Sequence, residues 1–147
     1  MEYLVQPTED SWNSRREWFD GLLLEFEESG AYLVSEQAST LIGEVQSCYC
    51  AGAWIASIVL AFTVIDAQLI EVEAPGFKGS AKELLESQGL GSEYQALRLR
   101  RNRIIHLRPE EPAITVDQQW GSRTELKEEA ENAIHLMLSA FFANPCV

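Results

Sequence analysis

From residue 45 to residue 65 the chain runs for 21 positions without a charged side chain, in a protein of 147 residues with 23 acidic residues, 11 basic residues and a net charge of -12. Such a run has two physical outlets. It can cross a bilayer, whose hydrocarbon core takes about 20 apolar residues of helix, or it can be the central helix of a bundle, apolar all round because it is covered all round. Gln46, Ser47, Ser57 and Thr63 interrupt the run, alanines dilute it, and its flanks, Glu44 and Asp66, are acidic. A membrane span more often meets Lys and Arg at its cytoplasmic end. The expectation is therefore a buried helix, no membrane, and an all-α fold built around that helix.

Periodicity supplies the partners. Residues 9–29 predict a helix begun at Thr8 or Asp10 and closed at Ser29-Gly30, with Trp12, Trp18, Phe19, Leu22, Leu23 and Phe26 as its apolar positions and Glu25, Glu27 and Glu28 toward water. Residues 36–73 form a long helical region expected to bend near Gly43 or Gly52 and closed by Pro75-Gly76. Ser80-Ala81-Lys82-Glu83 is a capping-box pattern for a short helix ending at Gly89 or Gly91. Ser92-Glu93-Tyr94-Gln95 repeats that signal for a further helix, which Pro109 stops shortly after His106. Residues 109–121 read as a connector containing a short strand at 113–116, a candidate lid or substrate-contact segment. Trp120 within it is a packing anchor or a platform for a base. Ser122-Arg123-Thr124-Glu125 then caps a last helix to about Phe142, with Leu126, Ala130, Ala133, Ile134, Met137, Leu138 and Phe141 inward and His135 outside that stripe. The predicted architecture is one domain over residues 1–147, an up-and-down bundle of four to five helices with short helices at its corners.

Several chemistries find no support. There is no Gly-rich phosphate loop, no Gly-Lys-Ser/Thr triplet and no nucleophile-elbow pattern around a serine. Cys48, Cys50 and Cys146 make an odd count without a disulfide framework, which suits a reducing cytoplasm, and Met1-Glu2-Tyr3-Leu4-Val5 lacks the start of a secretory signal. On a helix the side chains of Cys48 and Cys50 point about 200° apart, and no second ligand pair lies near, so packing is expected there and no metal or cofactor.

Five of the eleven basic residues, Arg98, Arg100, Arg101, Arg103 and Arg108, fall within eleven positions. Leu90, Tyr94, Leu97, Ile104 and Ile105 recur through the same stretch at helical spacing, and Arg101 falls near the middle of their stripe. A guanidinium on an apolar face needs a carboxylate, a carbonyl or a bound anion. Asp66 is the corresponding oddity on the uncharged helix, sharing a side with Ile55, Ile58, Val59, Phe62 and Leu69. Either it pairs with Arg101, which would lower its pKa, or it is a helix-end Asp that reaches solvent. Asn102 and His106 are four apart on the flank beside Arg101. A fixed cation, an amide and a group that titrates near neutrality suit a phosphodiester, although a charged helix with one structural histidine meets the same spacing.

The run Arg101-Asn102-Arg103-Ile104-Ile105-His106 resembles the R-N-x3-H signature of the HEPN superfamily, the higher eukaryote and prokaryote nucleotide-binding domains. The likeness covers residues 35–143, by pattern along most of that length and by residue identity at the motif; residues 1–34 add the N-terminal helix. Membership would imply a helical, two-fold dimeric domain whose motif helices meet across a cleft. Many members are metal-independent ribonucleases of toxin-antitoxin, antiviral and RNA-processing systems. The resemblance implies that Arg101, Asn102 and His106 are catalytic, that Asp66 supports them, and that Arg98, Arg100, Arg103 and Arg108 contact substrate phosphates. It also implies an antitoxin or regulatory protein as partner. Leu107-Arg108 follows His106 where the subgroup paired with nucleotidyltransferase antitoxins carries x-Tyr, a departure that leaves the core motif intact. The other class of function compatible with these residues is a non-catalytic dimeric module that binds a nucleotide or a protein, and the acidic composition suits it.

Overall fold

In the computed structural model, which describes residues 5–28 and 30–146, the uncharged run becomes the end of one helix and most of the next. Helix α1 (Glu9–Glu27) begins at Thr8, whose hydroxyl accepts the Ser11 N–H at 3.1 Å, with Glu9 and Asp10 in the first turn where the helix dipole favours them. Its C-cap is Glu28. Ser29 of the expected exit, like Met1 to Leu4, lies outside the described residues. Phe19 is its one fully buried side chain, and Trp18, Leu22, Leu23 and Phe26 pack around the core margin.

Helix α2 (Glu36–Ala51) starts at Ser35, which accepts the Ala38 N–H at 3.0 Å, and stops at Gly52. Gly52 adopts φ +78°, the left-handed conformation that glycine enters without a Cβ penalty. Of the two glycines expected to bend this region, Gly52 breaks it into separate helices and Gly43 lies within α2. Helix α3 (Trp54–Gln68) continues through a π-helical turn, Leu69–Glu73, which ends at Ala74 before Pro75-Gly76. The α3 residues Trp54, Ser57, Ile58, Ala61, Phe62, Val64, Ile65 and Gln68 are all buried and lie on one broad half of the helix, an arc of about 160° at about 100° per residue. The reason is position: α3 packs against α2 on one side and α7 on another, with α5 on a third. The segment Trp54–Glu73 is long and apolar enough to cross a membrane, and the other helices cover one half of it; the half carrying Ile55, Ala56, Val59, Thr63 and Asp66 is only partly covered, so the expectation of a helix buried all round is met on one side alone.

Helix α4 (Ala81–Ser87) carries the expected capping box, Ser80 accepting from the Glu83 N–H while Glu83 accepts from the Ser80 N–H at 2.6 Å. Helix α5 (Ser92–Ile105) starts one residue earlier than its sequence signal suggests, since Gly91 is the N-cap and Ser92 makes no capping bond. Where a strand was expected at 113–116, Thr115 and Gln118 close a second capping box and open helix α6 (Val116–Gly121). Two reciprocal hydrogen bonds within four residues decide the local structure over a four-residue apolar alternation that has no partner strand. Helix α7 (Arg123–Phe141) buries the expected stripe and leaves His135 exposed, with its ring edge-on to Phe26 at 5.4 Å. A small antiparallel pair, β1 (Ala31–Tyr32) with β2 (Pro145–Cys146), ties the segment before α2 to the residues after α7.

Cross-links between helices give their directions. Arg15 on α1 reaches the Cys50 carbonyl and Asp20 accepts from Gln46, so α1 and α2 are antiparallel. Arg123 at the start of α7 binds the Gly52 carbonyl before α3, and Asn144 after α7 donates to Glu73 after α3, so α3 and α7 run the same way. Arg100 meets Glu129 and Tyr94 bonds Ser139, which sets α5 antiparallel to α7. The C-terminal end of α5 and the N-terminal ends of α1, α3 and α7 therefore share one end of the bundle.

Candidate active site

Helix α5 seats Tyr94 and Leu97 in the core. One turn later the same stripe brings in Arg101, which is part-buried, with its guanidinium carbon 4.7 Å from the centroid of the Phe62 ring. That cation-π contact contributes about 0.5–2 kcal/mol, more where water is excluded. The Arg101 Nε is buried and has no hydrogen-bond partner among the described residues. Asp66 stands one turn beyond Phe62 on α3, half-buried, beside a shallow cleft also lined by Gln37, Thr63 and Glu71. No ion pair closes between Asp66 and Arg101 among the described residues. Burial pushes the Asp66 carboxyl above its ordinary value, and the attraction of Arg101 only partly offsets this. Of the two alternatives for Asp66, the tight pair with a lowered pKa does not form; the carboxylate stays half-buried near the end of α3 and interacts with Arg101 through space, the guanidinium resting on an aromatic face.

Helix α5 ends at Ile105, and His106 is its C-cap in extended backbone, φ -116° and ψ 108°, with its N–H donating to the Asn102 carbonyl at 2.9 Å. The His106 side chain is exposed and no longer follows the helical direction shared by Arg101 and Asn102, so Asn102 and His106 are joined through the backbone rather than as neighbours on one helical face. Asn102 is part-buried.

The remaining arginines divide. Arg100 makes a forked contact with Glu129, Nε to Oε1 at 2.6 Å and Nη2 to Oε2 at 3.3 Å, and also donates to the Ala113 carbonyl at 2.8 Å. Arg103 pairs with Glu111 at 3.2 Å. Arg98 donates to Gln95 at 2.8 Å. Arg108 is exposed and has no ion pair among the described residues. Two of the four expected phosphate contacts are therefore engaged in holding the 109–121 connector and α7 to α5. Cys50 is buried and Cys48 part-buried, burial raising both thiol pKa values, and the described residues hold no cluster of three metal-ligating side chains.

Sequence reasoning missed a second group, at the same end of the bundle. Arg15, Arg123 and Lys127 line one cleft with Trp54 and Trp120. These residues come from four segments, and no local pattern connects them. Comparison with protein-family models, with curated proteins and with solved structures finds no match for this chain.

Proposed function

We propose that the chain is a metal-independent endoribonuclease of HEPN type, acting as a two-fold dimer in the cytoplasm, in a toxin or antiviral setting where an antitoxin or regulatory protein restrains it. The observation that carries this reading is the pairing on α5 of Arg101, its guanidinium resting on Phe62 without an ion-pair partner among the described residues, with the exposed His106 at the end of the same helix. A cation so held is free to neutralise phosphoryl oxygens, and an exposed imidazole is free to move a proton. In the reaction, the ribose 2′-hydroxyl loses its proton to His106 of one copy and its oxygen bonds to phosphorus. The bond from phosphorus to the 5′-oxygen breaks, and that oxygen takes a proton from the imidazolium of the second copy. The products are a 2′,3′-cyclic phosphate and a 5′-hydroxyl. Arg101 stabilises the charge on phosphorus and Asn102 orients the scissile group.

The dimer is supported by exposed apolar side chains around the motif: Leu99 at 51%, Ile105 at 46% and Leu107 at 81% of full exposure flank His106. The test is incubation of the protein and its His106→Ala variant with mixed RNA in EDTA. Cutting by the wild type, reduced about 10²–10⁴-fold in the variant, is the expected result. Equal activity, or none in either, overturns it. The second reading is the non-catalytic binding module, favoured by the engagement of Arg100 and Arg103 with Glu129 and Glu111.

A further inference from the structure

The cleft that gathers Arg15, Arg123 and Lys127 has a volume of about 530 Å³, within the roughly 300–1,000 Å³ of small-molecule sites. In a chain with 23 acidic residues, none of the described side chains lining it is a carboxylate. Arg15 and Arg123 lie over the Trp54 ring, at 4.9 Å and 5.4 Å from its centroid. Both are tethered by backbone carbonyls, Arg15 to Cys50 at 3.0 Å and Arg123 to Gly52. A Cβ built on Gly52 would lie 3.3 Å from a guanidinium nitrogen of Arg15 and 3.5 Å from one of Arg123, so two cations converge on one point. Neither has a carboxylate within ion-pair distance among the described residues, whereas Lys127 shares Glu131 at 3.7 Å. The convergence has a cost: burial and the charge of Arg15 both lower the Arg123 pKa.

Three further features favour a negative group here. Trp54 opens α3 and Arg123 opens α7, and neither helix has a side-chain cap, so the first-turn N–H groups of two helices of 15 and 19 residues are left without that partner. Trp54 is 3% exposed, and its indole N–H is buried without a hydrogen-bond partner among the described residues. An unpartnered buried donor is costly, so an acceptor that came within reach of it would be favoured. The cleft also has apolar lining residues, Pro7 and the part-buried Trp120. Trp54 already carries the arginines, so Trp120 is the ring left to face a ligand.

We infer that this cleft binds a nucleotide, its phosphate held by Arg15 and Arg123 and its base against Trp120, at a site separate from Arg101 and His106. The inference does not rest on the ribonuclease reading. Its test is titration of the full-length protein with AMP and with inorganic phosphate, followed by calorimetry and by the indole N–H resonances. AMP is expected to bind, to move the Trp54 indole signal, and to weaken about tenfold in Arg123→Gln, the loss of one charged contact. Trp120→Leu is expected to weaken AMP and leave phosphate unchanged. His106→Ala is expected to bind AMP as the wild type does, which keeps this site distinct from the motif. In the His106→Ala background, a 5′-phosphorylated oligoribonucleotide that binds tighter than AMP identifies the end of an RNA chain as the source; equal or weaker binding identifies the free nucleotide. No binding of AMP at millimolar concentration, or binding that Arg123→Gln and Trp120→Leu both leave untouched, overturns the inference.

Discussion

Replacing Gln68 by Met tests whether the end of α3 organises the chain around it. Gln68 is fully buried, and its amide works in both directions: Oε1 accepts the Ser35 N–H at 2.9 Å and Nε2 donates to the Leu33 carbonyl at 3.1 Å. Methionine keeps the unbranched shape and removes both polar atoms. Ser35 is itself fully buried, so its N–H would lose its only acceptor away from water, at about 1–3 kcal/mol. Leu33 is exposed and its carbonyl can turn to solvent, leaving roughly 0.5–1.5 kcal/mol for that bond. The expected loss is about 3 kcal/mol, or a fall in Tm of roughly 6–12 °C at the 2–4 °C per kcal/mol of a domain this size. Urea denaturation should show a lower midpoint with an unchanged slope. Ser35 also caps α2 and bonds Glu71, so hydrogen exchange at the Ala38 amide should quicken beyond the global change. A loss below about 1 kcal/mol, with Ala38 protection intact, would refute the anchoring role.

Asp66→Asn should change the pH dependence of stability in a set direction. With the folded carboxyl pKa raised above 3.8, the native state holds more protons than the unfolded state between those two values, so wild-type stability falls as pH rises through that window. The variant should lack that fall and gain on the wild type as pH rises from below 3.8 through the raised pKa, read from urea midpoints; a relative loss would restore the tight Arg101 pair. The two glycines of the 36–73 region should respond oppositely in thermal melts. Gly43→Ala, inside α2 with open space around the new methyl, should stabilise by about 0.5–1 kcal/mol, and Gly52→Ala should destabilise by about 1–2 kcal/mol or more, because of its positive φ and the two guanidiniums beside it. If the chain forms the proposed dimer through the apolar surface around His106, Leu107→Asp should lower the mass in sedimentation equilibrium from two chains to one; a wild type of single-chain mass, or an assembly state that the variant leaves unchanged, would remove that surface as the interface.

The helical character was legible because its signals are local or periodic. The Ser80/Glu83 box formed as written, and the inward stripe of α7 is the buried one. The uncharged run announced a central helix, and only one half of that helix is fully buried. The Thr115-x-x-Gln118 box is a local signal of the same kind, and the strand expected at 113–116 did not take it into account. Other features depend on distant residues. Gly43 and Gly52 look alike in sequence; what separates them is the left-handed C-cap conformation of Gly52 and the packing of Arg15 and Arg123 beside it. His106 leaves the helix that its spacing to Asn102 assumes. The engagement of Arg100 by Glu129 and of Arg103 by Glu111 joins segments whose contact no periodicity predicts.

The net charge of -12 bears on any anion-binding function, and its weight depends on distance. Helix α3 alone is about 20 Å long at 1.5 Å per residue, whereas charges at physiological salt are screened over about 8 Å. A ligand at one end of the bundle therefore responds to the charges at that end rather than to the total. The helix directions place the C-terminus of α5, with His106 and the exposed Arg108 just beyond it, at the end where Arg15 and Arg123 converge without carboxylate partners among the described residues. Glu71 and Glu73 stand at the opposite end of α3, where Asn144 and the β1/β2 pair close the fold. An RNA or nucleotide approaching the α5 end meets cations that the fold has not neutralised. The acidic composition thus disfavours binding along the whole surface, and because this end also carries Glu9, Asp10, Glu110, Glu111, Asp117 and Glu125, an anion there depends on the local convergence of Arg15 and Arg123 rather than on a basic surface.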